Sequence, residues 1–347
     1  MLVSRPTKRF IDSILCATFL AAASGAAAEE MDHSQHTGHH QMTAEQLATL
    51  RAKIPLYQSL TDEQISESMG RMRDVEDYLS PATVRDGIGV LALGHGYGDK
   101  GDAQFKAGFA EVAKTHPTAV GLGMAMMDSG HIQRAVDQLE AAGAKTIVVL
   151  PTEVGEPSNL TRQWDYIMGR DDRSAYLDVP RLKTGARLVV ARTPTASPVI
   201  GEILAANLRT ISRDPAREFA VVVAHGPTDE QENQKELAAL AGHARAIRSA
   251  LGLSDVIAVT LQDDAPTAVR QANVDRTRDR IRAEAARGKR VLVTPVLITS
   301  GGFVSMKIRK DLEGLQFDIV DSGITESPLF PQWVAETVAA ATASQGP

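Results

Sequence analysis

Short apolar runs alternate with stretches of helical periodicity along most of this chain. The runs fall at 88–94, 119–126, 146–150, 187–191, 219–224, 256–261, 290–295 and 317–320, and helical spacing fills 102–114, 131–142, 233–251 and 275–287 between them. Continuous Val/Ile/Leu runs indicate strands buried on both faces, and their alternation with helices predicts a doubly wound, parallel α/β fold. Ahead of them, Thr43 with Gln46 and Thr61 with Gln64 form two capping boxes. These predict amphipathic helices over 43–52 and 62–78, separated by Pro55 and closed by Pro81. This helical segment, 43–86, reads as an appendage packed on the main body.

The body repeats itself. His95-Gly96 ends the first run and His225-Gly226 the fifth, 130 residues later; Thr195-x-Ser197-Pro198 recurs as Thr325-x-Ser327-Pro328, and Gln104 matches Gln234, at the same step. Leu150-Pro151 and Thr294-Pro295 stand 144 apart, so the second copy carries extra residues before its third strand. Each half is then a βα unit with a parallel four-stranded sheet, 87–213 and 217–343, and duplication predicts two similar lobes facing each other across a cleft.

The N-terminus changes the picture of where the protein works. Arg5, Lys8 and Arg9 precede an apolar stretch over 11–23 and a small-residue site, Ala26-Ala27-Ala28, which together read as a secretory signal peptide over 1–28. Cys16, the one cysteine, leaves with it, so the exported, periplasmic product has no disulfide and no thiolate chemistry. No later stretch is long and apolar enough for stable membrane insertion. A polar tract at 29–42 follows, in which His33, His36, His39 and His40 are candidate ligands for copper, nickel, cobalt or zinc. The net charge of −6 argues against a nucleic-acid partner.

In open parallel sheets ligands bind beyond the carboxyl ends of the strands, where loops and helix N-termini converge. The first strand of each half ends in histidine, His95 and His225, and the second ends near a carboxylate, Asp128 before Ser129-Gly130-His131 and Asp263 before Asp264-Ala265-Pro266. An imidazole and a carboxylate can each hold a divalent cation or take a proton near neutral pH. His225 with Asp263 is the first candidate pair and His95 with Asp128 the second. His131, at a helix start, reads as a capping or surface residue. Lys307, Arg309 and Lys310 follow the Gly301-Gly302 turn and read as a solvated helix face.

At this point the chain resembles a known family. Gly89-Val-Leu-Ala-Leu-Gly-His-Gly-Tyr-Gly98, with Gln104-Phe105, Ala135-Val-Asp-Gln-Leu139 and Gly143-Ala-Lys-Thr-Ile-Val-Val-Leu-Pro151, looks like the sirohydrochlorin cobaltochelatases, the class II tetrapyrrole metal chelatases. Phe219-Ala-Val-Val-Val-Ala-His-Gly226 through Arg290-Val-Leu-Val-Thr-Pro-Val-Leu-Ile298 is similar to the same pattern. The resemblance implies two flavodoxin-like lobes and insertion of cobalt, nickel or iron into a tetrapyrrole, with the metal as substrate and no nucleotide. It places the family's strand-end histidine at His95 and His225 and its acidic residue at Asp128 and Asp263. The family's second histidine would fall in Ser300-Gly301-Gly302-Phe303, where Phe303 stands instead, and Thr152-Glu153-Val154-Gly155 has no match to it either.

Two other motifs and one rival function compete. Gly96-Tyr-Gly98-Asp-Lys-Gly101 is a literal dinucleotide fingerprint after a strand, but its counterpart from Gly226 has one glycine. A hydrolase oxyanion loop would need a G-x-S-x-G elbow, which is absent. The rival function is a non-catalytic periplasmic metal- or tetrapyrrole-binding protein on a degenerate chelatase fold, favoured by the histidine tract, the leader and Phe303.

Overall fold

The computed structural model describes residues 42–70, 74–156, 158–301 and 303–343. The leader and the tract holding His33, His36, His39 and His40 lie outside them. Both predicted capping boxes form: Thr43 Oγ1 accepts from the Gln46 N–H at the start of α1 (Ala44–Lys53), and Thr61 Oγ1 accepts from the Gln64 N–H at the start of α2 (Asp62–Gly70). The second predicted helix is too long, however. It ends at Gly70, and Val75–Tyr78 forms β1, antiparallel to β3 (Thr118–Leu122). The β3 edge would otherwise leave a row of backbone N–H and C=O groups unpaired, and satisfying them outweighs the local helical spacing.

The first lobe therefore has a five-stranded mixed sheet, where a four-stranded parallel one was expected. Its order is β1-β3-β2-β4-β5, with β2 at Ile88–Gly94, β4 at Thr146–Pro151 and β5 at Arg187–Val190. The second sheet is parallel and four-stranded, as expected, in the order β7-β6-β8-β9. Its strands are β6 (Glu218–Ala224), β7 (Asp255–Thr260), β8 (Arg290–Pro295) and β9 (Asp318–Ile319). Without β1, both sheets run second, first, third, fourth strand, which is the duplication seen as topology. In such an order the chain reverses direction between the first and third strands, and a crevice opens there.

Alternation within the strands sorts the helices into layers. In β2, Val90 and Ala92 point to a central core while Leu91 and Leu93 point outward; in β6, Ala220 and Val222 point in while Phe219 and Val221 point out. The central core takes α3 (Gly98–Gly108), α6 (Val199–Arg209), α7 (Glu230–Leu251) and α10 (Phe330–Ala343) between the two sheets. Outside the first sheet lie α1, α2, α4 (Gly130–Ala141) and α5 (Asn159–Ile167); outside the second lie α8 (Thr267–Ala286) and α9 (Phe303–Asp311). None of the described helices is long and apolar enough to cross a membrane.

The lobes exchange their last helices. The first lobe's α6 packs on α7 and β8 of the second, and the second lobe's α10 packs on β4 of the first. The repeated Thr-x-Ser-Pro motif sets this up. Thr195 donates to the Val154 carbonyl and Thr325 to the Ile298 carbonyl at 2.8 Å, while Ser197 and Ser327 accept from the N–H groups of Val199 and Leu329 at the helix starts. An aromatic chain then runs from His95 through Tyr97, Phe105 and Phe109 of the first lobe to Phe330 and Trp333 of α10, with ring centroids 4.7 to 5.5 Å apart. Phe330 is fully buried, and a Cβ on Gly108 would meet its ring at 2.9 Å.

Phe330→Ala is accordingly expected to lower unfolding stability by about 3–5 kcal/mol, read from the urea midpoint, because it empties the contact that joins the exchanged helix to the first lobe. A midpoint within experimental error of the parent would contradict the exchange.

Candidate functional site

Both strand-end histidines precede a glycine that the turn requires: Gly96 and Gly226 have φ of +85° and +78°. This is the left-handed region that side chains disfavour, so the glycine half of the repeated His-Gly serves the backbone. The imidazoles meet different surroundings. His225 Nδ1 donates to the Gly226 carbonyl at 3.0 Å, which turns Nε2 toward Asp264 Oδ2 at 3.6 Å. Burial pushes the His225 pKa down, but Asp264, Asp263, Glu153 and the Gly226 carbonyl outweigh it and hold it above the ordinary imidazole value.

Three elements from both lobes deliver those charges. Glu153 comes from the first lobe, two residues beyond β4, on the loop that Thr195 pins through Val154. Asp264 follows Gln262, a non-glycine residue at φ +51° whose amide is held by Pro227 and Asn273. Glu236 sits on the buried stripe of α7, and a Cβ on Gly155 would come within 2.6 Å of its Oε2, so the Glu153 loop passes directly over it. Burial first, then Glu153, raises the Glu236 carboxyl to about 7, with His225 opposing. Two crowded carboxyl groups next to an imidazole are arranged to share protons or to hold a cation.

Glu153 also links the two halves. Burial first, and this carboxylate in addition, push up the phenol of Tyr97, which packs at a tilt against His95, and that of Tyr176. His225 thus senses this carboxylate, and so does Tyr97 beside His95. Among the described residues His95 Nδ1 is buried with no hydrogen-bond partner, and the carboxylate near that ring is Asp102, which accepts from the Tyr97 N–H at 2.7 Å. The appendage reaches the same region: the Leu56 N–H donates to the Asp264 carbonyl and Lys53 Nζ to the Ser174 carbonyl.

Other candidates fall elsewhere. Asp128 gathers with Asp74 and His131, and it is Asp102 that accompanies His95. His131, read as a cap or surface residue, is fully buried. Asp263 is buried and paired with Arg270 at 2.8 Å and Lys307 at 2.7 Å, so its carboxylate sits behind His225 in an ion network while Asp264 faces the ring. Burial would raise it, but His225, Lys307 and Arg270 hold it below the usual carboxylate range. Lys307 is thereby engaged, and Arg309 pairs with Asp321. The Phe303 side chain is outside the description. Gly101 of the dinucleotide-like run has a packing role, since a Cβ there would press on Tyr97 and on Thr299 of the other lobe. The cavity of about 330 Å³ lined by Val112, His116, Ala335 and Val338 shares no residue with this cluster.

Glu153, Glu236 and Asp264 escaped the sequence reading of site residues. For Glu236 a signal existed: with Asn233, Leu240, Ala244 and Ile247 it falls on one helical stripe, where a carboxylate is out of place. Glu153 stands in the loop after the third strand, where the family resemblance asks for a ligand.

Comparison with solved structures identifies the fold. SirB from Bacillus subtilis, solved with Fe3+, superimposes with a TM-score of 0.55 over 75% of this chain and 98% of its own, at 13% identity. The sirohydrochlorin chelatase SirB from Bacillus subtilis subspecies spizizenii, in complex with cobalt, gives 0.53 over 75% and 97%, at 12% identity. The architecture is that of these chelatases. No family model and no curated protein sequence matches the chain.

The raised Glu236 carboxyl carries a stability signature. Its folded value lies above its unfolded one, so folding is unpenalised below about pH 4.5 and loses stability as pH rises through about 7. Glu236→Gln is therefore expected to leave stability nearly unchanged at pH 4.5 and to raise it by about 1–3 kcal/mol at pH 8. Equal effects at both pH values in urea titrations would contradict the assignment.

Proposed function

We propose that this protein inserts a divalent metal ion, of the cobalt, nickel or iron group, into a tetrapyrrole such as sirohydrochlorin, without ATP. The observation that carries the reading is the gathering around His225 of Asp264 and Glu236 from its own lobe and of Glu153 from the other. Chelatase architecture in the solved neighbours supports it. Inserting M2+ into a free macrocycle requires the cation to shed part of its water, the ring nitrogens to bind it, and two N–H protons to leave.

The cluster supplies a partner for each requirement. His225 Nε2, turned outward by the Nδ1 bond to Gly226, offers a nitrogen ligand, and Asp264 and Glu153 offer oxygen ligands that replace departing water. Glu236, poised near neutrality, accepts a pyrrole proton, and Glu153 beside it takes the second as the cation passes from protein to ring. His95, whose Nδ1 has no partner among the described residues and which packs against Tyr97, lines the other side, where Asp102 provides the nearby charge. Asp263 with Arg270 and Lys307 holds the loop behind His225 and is a positioning residue. In this reading the exported protein works in the periplasm, with His33, His36, His39 and His40 of the tract that follows the leader collecting metal.

The crowding of carboxylates around His225 also favours cation capture, and this supports the second reading, a periplasmic metal-binding protein without turnover. Purified protein with sirohydrochlorin and Co2+ is expected to develop the metallated absorbance spectrum at least tenfold faster than buffer, with His225→Ala returning the rate to background. The rate should rise with pH through about 7 as Glu236 ionises, and Glu236→Gln should flatten that rise. Co2+ uptake with no acceleration, of which one equivalent is lost in His225→Ala, would replace the chelatase reading by the binding one.

A further inference from the structure

A second group of donors converges beyond the carboxyl end of β3, on the outer side of the first lobe. Asp74 leads into β1, Asp128 lies in the turn after β3, and His131 opens α4; one ligand atom from each lies within 4.8 Å of the other two. His131 is fully buried, and among the described residues both of its ring nitrogens lack a hydrogen-bond partner. Its Nδ1 stands 3.4 Å from Asp74 Oδ1, too far for a good hydrogen bond. That spacing is about the edge of a tetrahedron drawn around a metal with bonds of roughly 2.1 Å. Gly123 keeps the space open, since a Cβ there would come within 2.2 Å of Asp74 Oδ1 and 3.1 Å of the His131 ring.

The other lobe shows how the same strand end is otherwise neutralised. Asp263, at the matching position, receives Arg270 and Lys307. In the first lobe Arg134 of α4 turns Nε and Nη2 to Glu76 at 2.6 and 2.9 Å, and only its Nη1 remains beside Asp128, across the bare face of Gly130. Asp128 and Asp74 are both solvent-accessible, which gives an ion an entry path, while the imidazole approaches from the buried side.

We propose that Asp74, Asp128 and His131 bind a divalent transition-metal ion of the zinc, cobalt or nickel class, which clips the segment entering β1 to the start of α4. One imidazole and two carboxylates suit a borderline cation with water completing the shell; calcium or magnesium would call for an all-oxygen set. The site is independent of the inter-lobe cluster and of the metal substrate proposed there.

The test uses the full chain with Co2+, located by anomalous diffraction at the cobalt edge and counted by equilibrium dialysis. The expected result is an anomalous peak among Asp74, Asp128 and His131 that persists in His225→Ala. Asp128→Asn, at an exposed position, should fold normally by circular dichroism yet lose that peak, bind one Co2+ fewer and weaken this site by about tenfold or more. His131→Ala should do the same. A Co2+-loaded crystal with no peak there, or Asp128→Asn binding the full complement of Co2+, would overturn the proposal.

Discussion

A carboxylate from one lobe has to be held near an imidazole from the other, and most of the architecture serves that approach. Glu153 belongs to the loop after β4, while His225 ends β6. The Thr195 hydroxyl fixes the loop through the Val154 carbonyl, and the Thr195 carbonyl in turn accepts from His243 Nε2 of α7 at 2.9 Å. The same α7 carries Glu236, and Arg162 of α5 reaches Glu232 on it at 2.5 Å. Exchange of α6 and α10 between the lobes keeps these parts in register, because neither sheet can cover its inner face without the other lobe's last helix.

The duplicated halves give two such junctions, and they are lined differently. At the counterpart junction Gln104 donates to Ser300 Oγ at 2.6 Å and to Glu326 Oε1 at 2.8 Å, and accepts from the Ser300 N–H. Its repeat mate Gln234 turns to Glu230 instead. One junction is thus closed by hydrogen bonds from Gln104, and the other is left with crowded acids. A buried carboxyl raised to about 7 costs stability progressively as pH climbs from about 4.5 to about 7, a cost that the surrounding core offsets.

The strands and the lobe order were legible because continuous Val/Ile/Leu runs have few other folded fates, and because His-Gly and Thr-x-Ser-Pro recur in step. The physical meaning of those repeats was less so. Gly96 and Gly226 answer to positive φ, and Thr195 and Thr325 to carbonyls that only the tertiary fold presents. Strand β1 was hidden because Ile65, Met69 and Met72 keep helical spacing after the Thr61 capping box, and only the open edge of β3 decides otherwise. His95 and His225 stood out as strand ends, but their carboxylate partners depend on loops: Asp264 faces His225 where Asp263 seemed the natural partner, and Asp102 accompanies His95 in place of Asp128. Glu153 comes from the other lobe altogether, a pairing that no spacing along the chain records.

The inter-lobe contact is tested most directly by the titration of His225 itself, followed by NMR in protein with isotope-labelled histidine, in the parent and in Glu153→Gln. The account predicts a parent value above the ordinary imidazole value of about 6.5 and a downward shift in the variant. A His225 that titrates at the same pH in both proteins would mean that Glu153 does not face it.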